Sequence, residues 1–352
     1  MAGAEVTVTP LQLDLECALD PSVRCMAHLQ QMPVRSGFTA ASTAEQVMAD
    51  IDLHGTTALV TGGYSGLGLE TTRALARAGA RVIVPARRPR LARDRLIDVA
   101  CTIVPMDLAD LTSVHRACEQ LLDAEAKLDL VVAAAGVMAS PERRVGPGWL
   151  SQFAINHLGH FVLLNSLVPL LARGGGARVV CYSSAGHHRS DIRWDDPHFD
   201  SGYDKWVAYG QSKTANVLFA VHLDELGRSD GVRAFSLHPG PILTELQRDL
   251  THAEQVELGW IDTDGHIIGR GFKTRSQGAA TGLWAATSRT LDGRGGLYCE
   301  NCDIAPLAAP DGSMDDGGVR NYTLDRESAE RLWRVSTSLT GVRSVWNARG
   351  PK

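Results

Sequence analysis

A short apolar run ending in Val60-Thr61-Gly62-Gly63-Tyr64-Ser65-Gly66-Leu67-Gly68 opens into a helical pattern from Leu69 to Ala78, and few folds accommodate that succession. It reads as strand, glycine turn, helix. Glycines at 62, 66 and 68 allow a tight turn, let backbone come close to a pyrophosphate and pack the helix on the sheet. The helix N-terminus offers unpaired N–H groups to anionic oxygens. The loop, with Tyr64, Ser65 and Leu67 between the glycines, is therefore expected to receive a dinucleotide.

Further apolar runs occur at Thr57 to Val60, Val82 to Val84, Thr102 to Val104, Leu128 to Ala135, Ala177 to Tyr182, Val232 to Leu237 and Gly296 to Tyr298. Helical periodicity lies between them, notably over Phe161 to Leu171 and Ser212 to Leu226. This alternation predicts a single α/β domain, a doubly wound parallel sheet of about seven strands with helices on both faces. A chain of 352 residues, 44% of them hydrophobic, can build one large core. Residues 1–51 read as an N-terminal extension in which Ser42 and Glu45 resemble a capping box opening a short helix. Residues 52–306 form the main domain. Residues 307–352 read as a loop rich in Asp, Gly and Pro and a terminal helix containing Glu327 to Val335.

The net charge of -5 and the lack of a Lys/Arg-rich block give no electrostatic footprint for nucleic acid or an anionic membrane, so a small-molecule substrate is expected. No apolar run reaches the length of a membrane span and the N-terminus does not read as a signal peptide, which makes the cytoplasm the expected location. Seven cysteines, an odd number, suit reduced thiols better than a disulfide framework. Cys299 and Cys302 have metal or redox spacing, but no second CxxC or paired His motif accompanies them, so no metal is expected.

Tyr209-Gly210-Gln211-Ser212-Lys213 puts a phenol and an ammonium four positions apart on one helix face. A phenol titrates near pH 10 and becomes a base near neutrality only where positive charge favours its phenolate, which Lys213 is expected to supply. With Thr61 to Gly68, Asp107-Leu108 after the third strand, Asn156 in a helix, Ser183-Ser184 after the fifth strand, and His238-Pro239-Gly240 through Thr244, this string resembles the short-chain dehydrogenase/reductase family. The likeness covers most of residues 52 to 305. It is nearest to the retinol dehydrogenase and protochlorophyllide reductase branch, through Phe153 to Phe161 and Tyr209 to Asn216.

The resemblance implies a Rossmann-type domain in which Tyr209 is the general acid/base and Lys213 lowers its pKa and holds the nicotinamide ribose. It also implies that Ser184, chosen over Ser183 by motif position, steadies the substrate oxygen and that Asn156 anchors a water in a proton relay. Asp107 and Leu108 would border the adenine, Pro239, Gly240, Ile242 and Thr244 the nicotinamide side, and Ala134, Ala135 and Gly136 the cofactor's other edge. Where the family usually has Asn-Asn-Ala-Gly, this chain has Ala133-Ala134-Ala135-Gly136, so weaker local bracing is expected. No acidic residue ends the second strand; Arg87 and Arg88, followed by Arg90, stand there instead, favouring NADP(H) over NAD(H) through a guanidinium grip on the 2'-phosphate.

Segments Gly186 to Trp206 and Glu245 to Phe272 fall where such proteins build a substrate loop and lid (245–272), and suggest a roomy, partly apolar pocket. His187, His188 and His266 are expected to be mostly solvated, and Trp194, Trp206 and Trp260 to be packing residues. Relatives often pair through the helices bearing Asn156 and Tyr209, which points to a homodimer or homotetramer unless the N-terminal extension covers that surface. The expected reaction is carbonyl–alcohol interconversion, with C=C or C=N reduction and a catalytically silent cofactor-binding regulator as the alternatives.

Overall fold

The computed structural model describes residues 31–346. In chain order the strands are β1 (Thr57–Thr61), β2 (Arg81–Ala86), β3 (Cys101–Pro105), β4 (Leu130–Ala133), a small hairpin of β5 (Arg144–Val145) and β6 (Trp149–Leu150), then β7 (Arg178–Tyr182), β8 (Arg233–His238), β9 (Leu297–Glu300) and β10 (Asp303–Ile304). All but the hairpin join one sheet in the order β3-β2-β1-β4-β7-β8-β9-β10. The first seven of these are parallel and match the expected runs; only β10 is antiparallel, giving eight strands rather than about seven. β10 is two residues long and follows a turn in which Asn301 and Cys302 have φ of +53° and +61°, so it leaves no readable period.

Strand residues alternate between two cores because successive side chains point to opposite faces. Ala58 and Val60 of β1 pack with the helices Gly66–Arg77 and Arg275–Thr287, whereas Leu59 packs with Leu111–Ala124, Gly159–Ser166 and Lys205–Gly227. Both sheet faces are therefore covered, which is why the strands read as unbroken apolar runs. Strand order reverses between β1 and β4, where a crevice opens at the carboxyl ends of the strands. Among the described residues no helix is long and apolar enough to cross a membrane.

Part of the N-terminal extension closes the β9/β10 edge; its residues 1–30 lie outside the described residues. Gln31 Nε2 donates to the carbonyls of Tyr298 (2.8 Å) and Ala305 (2.7 Å), and Gln31 Oε1 accepts from Tyr298 N (3.1 Å). Val34 N and Ser36 N donate to the Asp303 carboxylate at 2.7 and 3.2 Å. Backbone groups that an edge strand leaves open are thus occupied. The short helix, Ala44–Val47, is capped one residue later than expected, by Thr43 with Gln46. Both pairs satisfy the capping pattern in sequence, but Glu45 is drawn off to Ser276 Oγ (2.5 Å) and Ser42 Oγ accepts from Thr39 N (2.9 Å).

The C-terminal helix, Arg326–Thr340, packs on Lys205–Gly227. Trp333, 2% exposed, fits between Phe161 (ring centroids 5.0 Å apart) and Phe219 (5.7 Å). The C-terminal helix thus covers faces of the helices bearing Asn156 and Tyr209. Trp333→Ala is expected to destabilise the fold by about 3–5 kcal/mol, read as a lower urea midpoint; an unchanged midpoint would show that the helix is not integral to the core.

Candidate active site

The helix Lys205–Gly227 starts at Asp204, whose carboxylate accepts from Trp206 N (2.9 Å) and Val207 N (2.8 Å). From this cap, Tyr209 and Lys213 fall one turn apart on the face turned to the crevice. Tyr209 is 4% exposed, and Lys213 Nζ lies 5.5 Å from its ring centroid. Ser184, immediately after β7, is near enough to the Tyr209 phenol to draw its pKa down, and its Oγ accepts from Gly186 N at 3.0 Å. A Cβ at residue 186 would stand 2.9 Å from the Tyr209 ring, so glycine there makes room for the phenol. Ser183 Oγ instead donates to Lys213 O (2.8 Å), so it anchors the helix while Ser184 faces the phenol.

Lys213 Nζ donates to Tyr182 O at 2.9 Å, and Asn216 Nδ2 donates to the same carbonyl at 2.9 Å. Burial pulls the Lys213 ammonium down to about 8, with Cys181 opposing. Burial also pushes the Tyr209 phenol up to about 12, and Ser184 offsets only part of this. Lys213 is not among the groups that move the phenol here; the expected lowering is one it shares with the charge of an oxidised nicotinamide. Removing both groups from water disfavours the charged form of each, and one of the three ammonium N–H groups goes to the Tyr182 carbonyl.

Asn156 sits in a single π-helical turn, Ala154–Leu158, and is fully buried. Its carboxamide is taken up by protein: Oδ1 accepts from Val137 N (2.8 Å), while Nδ2 donates to Val137 O (2.9 Å) and Ser212 Oγ (2.9 Å). Ser212 Oγ donates in turn to Tyr209 O at 2.8 Å. Asn156 thus clamps the segment after β4 to the tyrosine helix and does not line the crevice.

The Ala133-Ala134-Ala135 segment is braced by another route. Ala135 N donates to Thr61 Oγ1 (3.1 Å), Thr61 Oγ1 pairs with His160 Nε2 (2.9 Å), and His160 Nδ1 pairs with Asn156 O (3.1 Å). Because a carbonyl only accepts, the proton must be on Nδ1, and Thr61 donates to Nε2. Burial keeps this imidazole neutral, with its pKa lowered to about 4. Thr61 and His160 are 99 positions apart, so no local pattern announces the pair.

The crevice, about 1030 Å³, runs from the glycine loop past Tyr209 to the lid. Gly62, Tyr64, Ser65, Gly66, Leu67 and Gly68 line one end, and Asp107, Leu108, Ala134, Ala135 and Gly136 its wall. Pro239, Gly240, Ile242 and Thr244 line it too, with Thr244 Cβ 3.4 Å from where a Cβ on Gly66 would lie. The cradle fits a dinucleotide. Gly62 has φ +67°, with the Ala135 backbone 3.0 Å from where a Cβ would lie, and a Cβ on Gly68 would lie 2.4 Å from Gly62 O. Ser65 makes no side-chain cap bond, so the N-terminus of Gly66–Arg77 faces the crevice without a side-chain acceptor. Thr244 spends its hydroxyl on capping the turn Glu245–Asp249, accepting from Leu246 N at 3.1 Å. Gly136 carries no side chain where Asn156 Oδ1 and Lys213 Nζ approach to 3.1 and 3.8 Å of an added Cβ.

At the end of β2, Arg87 and Arg88 are exposed and line the crevice, whereas Arg90 does not. Arg248 and Arg95, which sequence reading did not single out, line it too. Arg248 comes from the lid and feels the charges of Arg87 and Arg88 after its burial and Asp249. Arg95 is held by Glu245 Oε1 at 3.5 Å.

The expected loop histidines divide. His187 is buried, its Nδ1 donating to Ser184 O (2.6 Å) and its Nε2 accepting from Arg320 N (3.2 Å), and burial lowers its pKa to about 3. It is therefore not solvated, and it ties the Ser184 turn to the C-terminal segment. His188 Nε2 pairs with Gly318 O at 3.1 Å, and His266 is exposed beside Asp262; neither lines the crevice. Trp194 lies 4.3 Å from the Arg331 guanidinium, away from the crevice, as a packing residue would. Trp206 and Trp260, however, line the crevice. Cys299 and Cys302 are buried free thiols with pKa values raised by burial, and Cys302 N donates to Thr281 Oγ1 at 3.1 Å.

Comparison with known proteins agrees with this geometry. A family model described as short chain dehydrogenase matches residues 56–255. A Streptomyces lividans protein named "Probable oxidoreductase" is 41% identical over 292 residues, covering 80% of this chain and 97% of its own. Retinol dehydrogenase 12 of Bos taurus is 33% identical over 304 residues, covering 84% of this chain and 89% of its own. Among solved structures, an uncharacterized protein from Mycobacterium paratuberculosis superposes with a TM-score of 0.65 at 30% identity, covering 86% of this chain and 99% of that one.

Proposed function

The chain belongs to the short-chain dehydrogenase family and is an oxidoreductase that binds a nicotinamide cofactor, and from that premise we propose that it is an NADP(H)-dependent reductase of a carbonyl group on a small to medium, partly apolar molecule. The observation that carries this reading is that Ser184, Tyr209 and Lys213 line the same crevice as the glycine loop. When bound, the cofactor supplies a hydride equivalent to the carbonyl carbon. Everything else falls to side chains of this chain. Ser184 Oγ and the Tyr209 hydroxyl together hold the substrate oxygen, and Tyr209 gives that oxygen its proton.

A phenol pushed up to about 12 is protonated at neutral pH, as an ordinary phenol is, and so carries the proton that a forming alkoxide needs. Lys213, with a pKa near 8, is the nearest group able to resupply that proton. The reduction rate is therefore expected to decline above about pH 8, as Lys213 loses its proton. A flat rate from pH 7 to 10 would remove Lys213 from the relay.

Two exposed guanidiniums, Arg87 and Arg88, and the lid's Arg248 support preference for a 2'-phosphate. Arg87→Ala is expected to raise KM for NADPH roughly 10- to 100-fold, the loss of a charge-assisted hydrogen bond, and to leave KM for NADH nearly unchanged. Equal changes for both cofactors would dismiss the phosphate grip. Pairing of two copies through the helices bearing Asn156 and Tyr209 would have to displace the helix Arg326–Thr340, so a homodimer or homotetramer would need another face. The deciding experiment follows NADPH absorbance against a panel of ketones, enones and imines, with product identification. Alcohol products from ketones support the reading. Saturated products from enones or imines would move the reaction to C=C or C=N reduction, and tight NADPH binding without any turnover would make the chain a regulator.

A further inference from the structure

Three aromatic side chains are half-buried at the crevice mouth: Trp206 at the start of the tyrosine helix, and Trp260 and Phe272 from the lid. They contrast with Trp284 and Trp333, which are 1% and 2% exposed in the two cores. Trp206 and Trp260 meet edge to face, with centroids 6.1 Å apart at 83°, and Trp260 meets Phe272 at 6.1 Å and 65°. Trp206, Trp260, Leu246, Leu250 and Met138 belong to the same apolar cluster as Tyr209 and line the same crevice, apart from Leu250. The Arg189 guanidinium lies 5.4 Å from the Trp206 centroid and lines the crevice beside it.

Rings that meet edge to face form corners, and a flat ring entering such a corner gains offset stacking on one wall and an edge contact on the other. A saturated ring of similar size gains only the area term. We propose, resting on the carbonyl-reductase reading above, that the substrate is a carbonyl compound bearing an aromatic ring, which lies against Trp206, Trp260 and Phe272 while its carbonyl oxygen reaches Ser184 and Tyr209. The overall step balances as one hydride from the reduced nicotinamide to the carbonyl carbon and one proton from Tyr209 to its oxygen, giving an alcohol and the oxidised cofactor.

The test uses 4-phenyl-2-butanone and 4-cyclohexyl-2-butanone with NADPH and the full chain. Their carbonyls are electronically alike because the ring is two carbons away, so the ratio of kcat/KM values reads ring recognition. A preference of roughly 10- to 100-fold for the phenyl compound is expected, from two aromatic contacts. Trp260→Leu and Phe272→Leu should each shrink that ratio, and Phe272→Tyr, which keeps the ring, should preserve it. Thermal unfolding of each variant identifies any that lose the ratio merely by failing to fold, and Phe272→Tyr then decides. Equal use of both ketones, or preference for the cyclohexyl one, overturns the aromatic assignment and leaves the reductase reading standing. If neither ketone nor any other carbonyl is consumed, the reductase reading falls and takes this assignment with it.

Discussion

Replacing Tyr209 by Phe is expected to lower carbonyl turnover roughly 100- to 10,000-fold, the usual range for losing a positioned general acid, with NADPH affinity little changed. The substitution removes one hydroxyl from a ring that remains packed against Met138 and Leu250. It leaves the contact between Ser184 Oγ and Gly186 N in place. The glycine loop, Arg87 and the Pro239 to Thr244 segment, which line the cofactor's part of the crevice, are untouched. Initial rates with NADPH give turnover, and quenching of intrinsic fluorescence gives the affinity. A variant that keeps near-native turnover would show that another group supplies the proton.

Lowering the pH from 7 to 5 is expected to cost about 6 kcal/mol of folding stability through His157, His160 and His187 alone, enough to unfold many domains. All three are buried, and burial lowers their pKa values from 6.5 to about 3, 4 and 3. Between these values and 6.5 the unfolded chain binds protons that the folded chain refuses. The stability these groups contribute is therefore complete above pH 6.5 and is lost as pH falls toward 4. At pH 5 each accounts for about 2 kcal/mol, from 1.4 kcal/mol per pKa unit. Burial raises the carboxyls of Asp191 and Glu300, which opposes the trend in the same acidic range. Urea denaturation at pH 7, 6 and 5 measures the sum. A midpoint independent of pH over that window would mean that these imidazoles take up protons in the folded state.

His157 shows how unevenly the site is written in the sequence. Its neighbours Asn156 and His160 lie in a string that pointed correctly to a family and a helix. Yet the π turn, the Asn156 clamp on Val137 and the burial of all three rest on contacts with residues from 19 to 179 positions away. Motif order favours Ser184 over Ser183, and the two hydroxyls differ in partners: Ser183 Oγ donates to the Lys213 carbonyl, while Ser184 Oγ accepts from Gly186 N. The lid shows the opposite case. The resemblance places a lid over 245–272, but no periodicity or motif distinguishes Arg248, Trp260 and Phe272 within it, and only the fold shows that these three line the crevice.

What the sequence determined by itself is the framework: seven parallel strands, the glycine turn at the switch point, the tyrosine and lysine one helical turn apart, and the missing acid after β2. These follow from local rules of side-chain alternation, helical spacing and glycine's freedom at positive φ, which act within a few residues. The tertiary structure alone decided the protonation of the site, the replacement brace through Thr61 and His160, the covering of the tyrosine helix by the C-terminus and the aromatic wall at the mouth. Each of these depends on burial or on partners distant in sequence, and neither the loss of water around a group nor a long-range hydrogen bond leaves a local pattern.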